Sequence, residues 1–244
     1  HVQSRAKPDL CLFGGDNVMN VDGEKGAARA KVQLDVWKQV VGKELSVPSR
    51  LAIGNHDVLA NKPDSGKRWP CDAFELPARH YSFEQAGWKF IVLDSTAPGE
   101  PGYKGRLDED QFGWLQDQLA NTPASTPTLI LSHIPILCAC AFFDGDNEKS
   151  GDWTIPGAWV HIDARRIKDL FRKHPQVKLA LSGHIHLVDR VDYLGVTYLC
   201  NGAVSGGWWK GPNQECENGY GVVDLFADGS FASRYVTYPW QARE

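Results

Sequence analysis

The chain has 244 residues, of which 42% are hydrophobic and 23% charged, and its formal net charge is −4. A chain of this length can bury a sizeable core without disulfides. The mildly acidic balance provides no basic surface for nucleic acid, and no apolar run approaches the ~20 residues that crossing a bilayer requires. We therefore expect a single domain over 1–244 with neither a nucleic-acid nor a membrane partner. Charge and composition leave the oligomeric state open.

The cysteines are spread through the chain, at Cys11, Cys71, Cys138, Cys140, Cys200 and Cys216. The one close pair, Cys138-Ala-Cys140, lacks the spacing of a usual zinc knuckle. We interpret the cysteines as small buried residues. A disulfide that involves Cys71 or Cys216 is the alternative if the protein is exported. Six cysteines and nine tryptophans do not conflict with export.

In the first half of the chain, short apolar runs alternate with helical patterns, which is typical of an α/β domain. A strand at 10–13 precedes a helix over about 25–41, where Val32, Val36 and Val40 share one face with Trp37 and Val41 beside them. A second strand at 50–53 leads into the sequence GNHD.

Turn and cap residues punctuate the segment that follows. Pro63, Pro70 and Pro77 indicate a loop, and the stretch HYSFEQAGWKFIVLDS predicts two strands joined by a turn at Ala86-Gly87. Asp108, with Gln111 three residues later, predicts the start of a helix.

The second half repeats the alternation. Strands at 128–131 and 177–181 flank a helix that we expect to begin near Asp163 and to bury Ile167 and Leu170. The remaining segments contain strands with tight turns at Leu194-Gly195 and Asp228-Gly229. We expect these C-terminal strands to form an antiparallel, meandering sheet.

Four apolar runs end at residues that can bind a metal, in the sequences GGDN, GNHD, SHIP and GHIH. In α/β sheets, ligands bind beyond the carboxyl ends of the strands, where loops converge. The polar residues at these ends are Asp16, Asn17, Asn55, His56, Asp57, His133, His184 and His186. Such a mixture of oxygen and imidazole donors suits Mn, Fe or Zn, and the absence of nearby cysteines argues against a structural thiolate site.

These four motifs, in this order, resemble the signature of the calcineurin-like metallophosphoesterases. A further pattern is similar to the branch of cyclic-nucleotide phosphodiesterases; it follows FIVLDS and comprises Gly105, Leu107, Gln111, Trp114 and Leu115. The resemblance implies an α/β fold, a four-layer αββα sandwich of two mixed sheets flanked by helices. It also implies metal-dependent hydrolysis of phosphomonoester or phosphodiester bonds in a small-molecule substrate by a metal-bound hydroxide. The same resemblance favours export over a cytoplasmic location.

The resemblance also assigns metal ligands. Asp16 matches the carboxylate that bridges two divalent or trivalent metal ions, for which Mn, Fe and Zn are the expected identities. Asn55, His133 and His184 match the ligands of one metal, and His186 matches a ligand of the other. The single residue between His184 and His186 lets one turn present an imidazole to each metal.

Two catalytic residues follow from the same resemblance. His56 matches the residue that meets the phosphate, together with Asn55, and protonates the leaving oxygen. Asp57 would orient the His56 imidazole. The alternative for Asp57 is a helix cap with no catalytic role.

The first motif of the family, Asp-x-His, is absent, because only fifteen residues precede Asp16 and their one aspartate is Asp9. The second metal would then keep only Asp16 and His186, and the first strand would be missing. We expect the natural polypeptide to begin further upstream. The alternative is a non-catalytic scaffold or binding module that has lost one metal site.

Between His133 and Asp163 lies a segment too long for a routine connection, which we interpret as an active-site loop insertion at about 136–161. Its aromatic residues, Phe142, Phe143, Trp153 and Trp159, would either cover a substrate or pack the loop onto the domain. We also expect the sequence GGWWKG, with Trp208, to lie near the same site. A nuclease is a further alternative, which the acidic balance disfavours.

Overall fold

The computed structural model describes residues 1–21, 23–59, 66–100 and 102–241. The strands of the first half are β1 (Cys11–Phe13), β2 (Ser49–Leu51), β3 (Tyr81–Gln85), β4 (Trp88–Leu93), β5 (Thr96–Pro98), β6 (Tyr103–Gly105) and β7 (Thr128–Ser132). Those of the second half are β8 (Glu148–Lys149), β9 (Asp152–Trp153), β10 (Val177–Ser182), β11 (Val188–Tyr193), β12 (Val196–Asn201), β13 (Gly219–Leu225) and β14 (Phe231–Thr237). The helices are α1 (Gly23–Gln39), α2 (Arg68–Ala73), α3 (Glu109–Ala120) and α4 (Ala164–Phe171).

A six-stranded sheet in the order β11-β12-β10-β7-β4-β3 forms the centre of the fold. Its four inner strands run parallel to one another, whereas β3 and β11 pair antiparallel at the two edges. Successive side chains of a strand point to opposite faces, so each inner strand contributes to two cores. In β4, for example, Ile91 and Leu93 face one core while Phe90 and Val92 face the other.

Helices α3 and α4 cover the first face of this sheet. Ile167 and Leu170 of α4 are buried there, as the sequence predicts, together with Phe112 and Leu115 of α3. Complete burial of one such side chain contributes about 1.5–3 kcal/mol. Asp108 caps α3 as predicted, since its Oδ1 accepts a hydrogen bond of 2.9 Å from the backbone N–H of Gln111.

The second face of the sheet packs against two separate strand pairs. The parallel pair β1–β2 contributes Leu12 to this core, and the antiparallel pair β13–β14 contributes Val223 and Phe231. Helices α1 and α2 lie beyond β1–β2 and pack on Phe13 and Leu51. The order of layers is therefore helix, sheet, strand pairs, helix, and the predicted αββα architecture is confirmed.

The predicted grouping of the C-terminal strands is wrong. The hairpin β11–β12 joins the central sheet through the parallel pairing of β12 with β10, while β13–β14 pairs only with itself within the described residues. Both hairpins exist as expected, and the turns at Ala86-Gly87 and Leu194-Gly195 have positive φ at both central residues. Such turns match the twist of the strands that they connect.

The predicted inner face of α1 is wrong for its three valines, although Trp37, predicted beside them, packs inward. Val32, Val36 and Val40 are 64%, 55% and 47% exposed, whereas Leu34 and Trp37 pack against the buried cluster around Leu51 and Phe74. Positions 34 and 36 lie about 200° apart on a helix, so only one of these two stripes can face inward. Trp37 decides the orientation because its ring buries more area than a valine.

Three further expectations concern local features. Pro70 lies inside the short helix α2 rather than in a loop, and Pro63 lies outside the described residues. All six cysteines lie within the described residues and are free thiols, so the disulfide alternative is not borne out there. No described helix combines the length and apolar character needed to cross a membrane.

Candidate metal centre

The four predicted motifs follow β1, β2, β7 and β10. Backbone conformation turns their side chains back over the strand ends: Asp16, His184 and His186 have φ values of 54°, 72° and 62°. Residues other than glycine rarely adopt this left-handed conformation, and such residues concentrate at functional sites. The motifs also approach each other closely, since a Cβ on Gly54 would lie 2.2 Å from Asp16 Oδ1. Glycine at this position is therefore required by contact.

The side chains converge on His133 Nε2. This nitrogen lies 3.0 Å from Asn55 Oδ1, 3.1 Å from His184 Nδ1 and 3.3 Å from Asp16 Oδ2. Potential ligand atoms of Asp16, His133 and His184 all lie within 4.8 Å of one another. We call Asp16, Asn55, His133 and His184 the metal rim. Four of the five metal ligands expected from the sequence are thus brought together.

Backbone carbonyls fix the protons of the two imidazoles. His133 Nδ1–H donates to Gly14 O over 2.7 Å, and His184 Nε2–H donates to Ala158 O over 3.0 Å, because a carbonyl oxygen can only accept. The facing atom His184 Nδ1 then carries a lone pair, while a protonated His133 donates from Nε2 to the acceptors around it. A cation bound among these atoms would take the place of the His133 Nε2 proton, and such second contacts orient metal ligands. The donor set therefore fits a metal ion.

Charge in the rim is distributed as metal ligation requires. Burial on its own would raise the pKa of Asp16, but the positive charge and hydrogen bond of His133 outweigh it and hold that pKa below its usual range. Burial, reinforced by the charge of His133, lowers the pKa of His184 to about 3. At neutral pH, Asp16 is consequently an anion and His184 a neutral donor, which are the ionisation states that bind metals.

His56 stands next to the rim without joining it. Its backbone N–H donates to Asp16 Oδ1 over 2.9 Å, and its ring centroid lies 5.0 Å from that of Trp208. A side chain in this position can exchange a proton with a group bound at the rim.

Asp57 is fully buried and holds two motifs together. Its carboxylate accepts hydrogen bonds from Gly54 N at 2.9 Å, Val18 N at 3.2 Å and Asn17 Nδ2 at 3.0 Å. Burial and the negative charge of Asp16 raise the pKa of Asp57 to about 7. Within the described contacts, Asp57 bonds to these groups rather than to the His56 ring, which favours the capping interpretation over an orienting role.

His186 lies outside the rim cluster. Its Nδ1–H donates to Gly206 O over 2.7 Å, which leaves Nε2 with a lone pair, and burial lowers its pKa. The Trp208 ring lies 5.0 Å from the rings of both His186 and His56, so the sequence GGWWKG reaches the site as expected. That His186 binds a second metal stays a prediction.

Sequence reasoning missed Tyr103 of β6. Its ring centroid lies 6.1 Å from that of His184, and burial together with the charge of Asp16 raises its pKa to about 12. Tyr103 is therefore a neutral hydroxyl beside the rim. No motif identifies it, because β6 approaches the rim only through the tertiary fold.

The long segment after β7 reaches the site through its backbone, since Ala158 O contacts His184. Its aromatic residues divide into two groups. Trp159 packs on a buried cluster, whereas Phe142 and Phe143 each contact Trp153, and these three are 39%, 66% and 50% exposed. Of these four aromatic residues, Trp159 alone packs the loop onto a buried cluster of the domain.

Comparison with known proteins identifies the family. The model of the calcineurin-like phosphoesterase family matches residues 1–188, a range that includes all of the predicted site residues. The chain belongs to this family. The resemblance of its four motifs is thereby confirmed.

Two relatives and one solved structure place the chain more closely. It is 29% identical over 228 residues to a probable cyclic nucleotide phosphodiesterase of Synechococcus, which covers 93% of this chain and 76% of that protein. It is 30% identical over 174 residues to a 3',5'-cyclic-nucleotide phosphodiesterase of Nostoc, which covers 68% of this chain but only 58% of that protein. A dimetal phosphatase from Danio rerio shares the fold, with a TM-score of 0.61 at 17% identity over 96% of this chain and 80% of that one.

Family and relatives together indicate a hydrolase that acts on phosphoesters with the help of metal ions. A non-catalytic scaffold, the alternative raised by the missing first motif, is not favoured by these relatives.

Proposed function

We propose that this protein is a metal-dependent phosphodiesterase of small molecules, with cyclic nucleotides as its substrate class. The observation that carries the proposal is the convergence of Asp16, His133 and His184 ligand atoms within 4.8 Å of one another. The substrate class is supported by the names of the Synechococcus and Nostoc relatives. Because the chain spans only 58% of the Nostoc protein, its substrate must be tested directly.

Metal ions bound here would activate a water molecule and neutralise charge on the phosphoryl oxygens. Asp16, Asn55, His133 and His184 would hold one ion, and Asp16 and His186 would contribute to the second. Four donors can hold one ion firmly, whereas two protein donors hold the second weakly. We therefore expect this chain to bind one metal ion more tightly than the other.

His56 would protonate the leaving oxygen. Its backbone N–H is anchored on Asp16 at 2.9 Å, so the imidazole keeps a fixed position relative to the metal rim. A positioned imidazole contributes about 10²–10⁴-fold as a general acid. Asn55 and His56 lie in one short turn, Asn55–Asp57, and both would meet the phosphate.

Surface charge bears on the rival activity of a nuclease. The net charge of −4 does not attract a polyanion, and phosphate contacts dominate the affinity of proteins for nucleic acid. A small diester needs no such extended surface.

The test is hydrolysis of bis-p-nitrophenyl phosphate, p-nitrophenyl phosphate and 3',5'-cyclic AMP by the full chain with added Mn²⁺. We expect the two diesters to be hydrolysed faster than the monoester. His133→Ala removes the donor on which the rim converges and should abolish this activity. His174→Ala, beyond the end of α4, is the matched control and should leave it unchanged.

Three outcomes would contradict the proposal in different ways. Preference for the monoester would indicate a phosphatase. Equal activity of His133→Ala and wild type would mean that the rim is not the active site. Metal binding at the rim without hydrolysis of any of the three esters would restore the scaffold alternative.

A further inference from the structure

A second group of potential metal ligands lies apart from the metal rim. The Sγ atoms of Cys138 and Cys140 and a carboxylate oxygen of Asp189 all lie within 4.8 Å of one another. The Cys140 thiol also contacts the Cys200 thiol, so it lies between two other sulfur atoms. We call these four residues the thiol pocket.

Distant parts of the chain build this pocket. Cys138 and Cys140 begin the long segment after β7, Asp189 lies in β11 three residues after His186, and Cys200 lies near the end of β12. Asp189 Oδ2 accepts hydrogen bonds from the backbone N–H groups of Ala139 and Cys140, the latter over 2.9 Å. The carboxylate therefore fixes the turn that presents both thiols.

The three cysteines of the thiol pocket lie in apolar surroundings. Cys138, Cys140 and Cys200 are 5%, 8% and 2% exposed, and the buried cluster that contains them includes Ile185 and Leu187. Apolar surroundings exclude water from a metal-thiolate group and protect it from exchange.

No positively charged side chain pairs with Asp189 among the described residues. No lysine, arginine or histidine nitrogen there lies within 4.0 Å of its carboxylate; the ion pair of the neighbouring Arg190 is with Asp192. The backbone N–H groups of Ala139 and Cys140 both donate to Oδ2, which leaves Oδ1 for a cation.

The spacing also suits such a cation. In a tetrahedral zinc site with Zn–S bonds of about 2.3 Å, neighbouring sulfur atoms lie about 3.8 Å apart. The ligand atoms of Cys138, Cys140 and Asp189, which fall within 4.8 Å of one another, reach this arrangement with small side-chain rotations. Cys200 contacts Cys140 but lies outside that group, and its thiol would have to leave Gly183 O, which it contacts at 3.3 Å, to become a ligand. Cys216 is more distant from the group, and its thiol contacts Tyr235 Oη at 3.7 Å.

We propose that Cys138, Cys140 and Asp189 bind a thiophilic divalent cation such as Zn²⁺, with Cys200 as the fourth ligand. Closed sites with several sulfur ligands are structural rather than catalytic. This one would fasten the long segment to β11 and β12. Because Asp189 follows the His184–His186 turn directly, the same ion would steady the backbone that presents those imidazoles.

The experiment is titration of the reduced full chain with Co²⁺, which reports sulfur ligation through a thiolate-to-cobalt charge-transfer band in the near ultraviolet. The metal rim has only nitrogen and oxygen donors and cannot produce that band. We expect the band in wild type and in Asp16→Asn, which alters the rim alone. Cys138→Ser should lower the intensity of the band, because one of three thiolates is lost, and Cys71→Ser, a half-buried cysteine outside the pocket, should leave the band unchanged.

Asp189→Asn tests the site if Cys138→Ser fails to fold, because it keeps both thiols and the size of the side chain. We expect it to weaken Co²⁺ binding at the sulfur site by about 10–100-fold. The proposal is overturned if the reduced wild type shows no sulfur band, or if the band keeps its full intensity in folded Cys138→Ser. It is equally overturned if peptide mapping finds a disulfide among these cysteines and the reduced protein binds no Co²⁺.

Discussion

The metal rim and the thiol pocket are neighbours along the chain yet differ in chemistry. Four residues lie between His133 and Cys138, and four lie between His184 and Asp189. The rim presents oxygen and imidazole donors at the ends of strands, while the pocket presents sulfur within an apolar cluster. Catalytic metal sites keep an open position and structural sites are closed. Under the two proposals, the segment that follows β7 would contribute to the reaction at His133 and to attachment of the loop at Cys138 and Cys140.

Replacing the rim carboxylate, Asp16, should lower activity more than any other substitution considered. In Asp16→Asn, the neutral amide cannot balance the charge of a metal ion, so we expect kcat/KM for bis-p-nitrophenyl phosphate to fall roughly a thousandfold. Asp152→Asn in the exposed hairpin β8–β9 is the matched control. A parallel loss of the cobalt-sulfur band would mean that the two regions are not separate.

His56→Ala should separate metal binding from proton transfer within the rim. Because its imidazole is placed as an acid and not as a ligand, we expect kcat to fall about a hundredfold while bound metal is unchanged. Metal content is measured by elemental analysis next to the rate. A loss of metal in proportion to activity would make His56 a ligand.

Asp163→Asn should affect stability rather than catalysis, because Asp163, at the start of α4, belongs to neither the metal rim nor the thiol pocket. Asp163 accepts hydrogen bonds from Leu107 N at 3.0 Å and His161 Nδ1 at 2.9 Å. We expect the free energy of unfolding at pH 7 to fall by about 1.5–3 kcal/mol, as for hydrogen bonds to a charged group.

The same variant should change the pH dependence of stability. Burial alone would raise the pKa of Asp163, but its bonds to His161 and Leu107 hold that pKa below the usual value. Its contribution is thus present above the unfolded pKa of about 3.9 and is lost as pH falls through the lower folded-state pKa. Denaturant unfolding should show wild type and Asp163→Asn converging below about pH 4. A difference that is constant with pH would contradict this.

Trp208→Ala should have the smallest effect. The ring lies 5.0 Å from the rings of both His56 and His186, so it bounds the space above the rim without donating a ligand. We expect KM to rise by a few fold, with kcat nearly unchanged, when about 1 kcal/mol of stacking is removed. Trp209→Ala is the matched control, because Trp209 packs on Trp240, and it should leave KM unaffected.

The rim was largely predictable because each ligand is set by its own short motif. GGDN, GNHD, SHIP and GHIH each combine a strand end with a donor, and parallel strands bring such ends to one edge. The thiol pocket was not predictable. Cys138, Asp189 and Cys200 come from three segments, and the spacing of Cys138 and Cys140 alone does not indicate a metal site.

Periodicity failed where two patterns competed. In α1, the stripe of Val32, Val36 and Val40 and the stripe of Leu34 and Trp37 both fit a helix, and only packing against Phe74 selected the second. In α4, Ile167 and Leu170 formed the single apolar stripe, and the prediction was correct.

By itself, the sequence determined the alternation of strands and helices, the caps and turns, and the family, since each depends on contacts among residues close in the chain. Tertiary structure decided which face of α1 is buried and where the C-terminal hairpins pair. It also brought Tyr103 to the rim, and Asp189 and Cys200 to Cys138 and Cys140. These outcomes depend on which of several competing surfaces buries the most apolar area. That comparison involves the whole fold and is not encoded in any one segment.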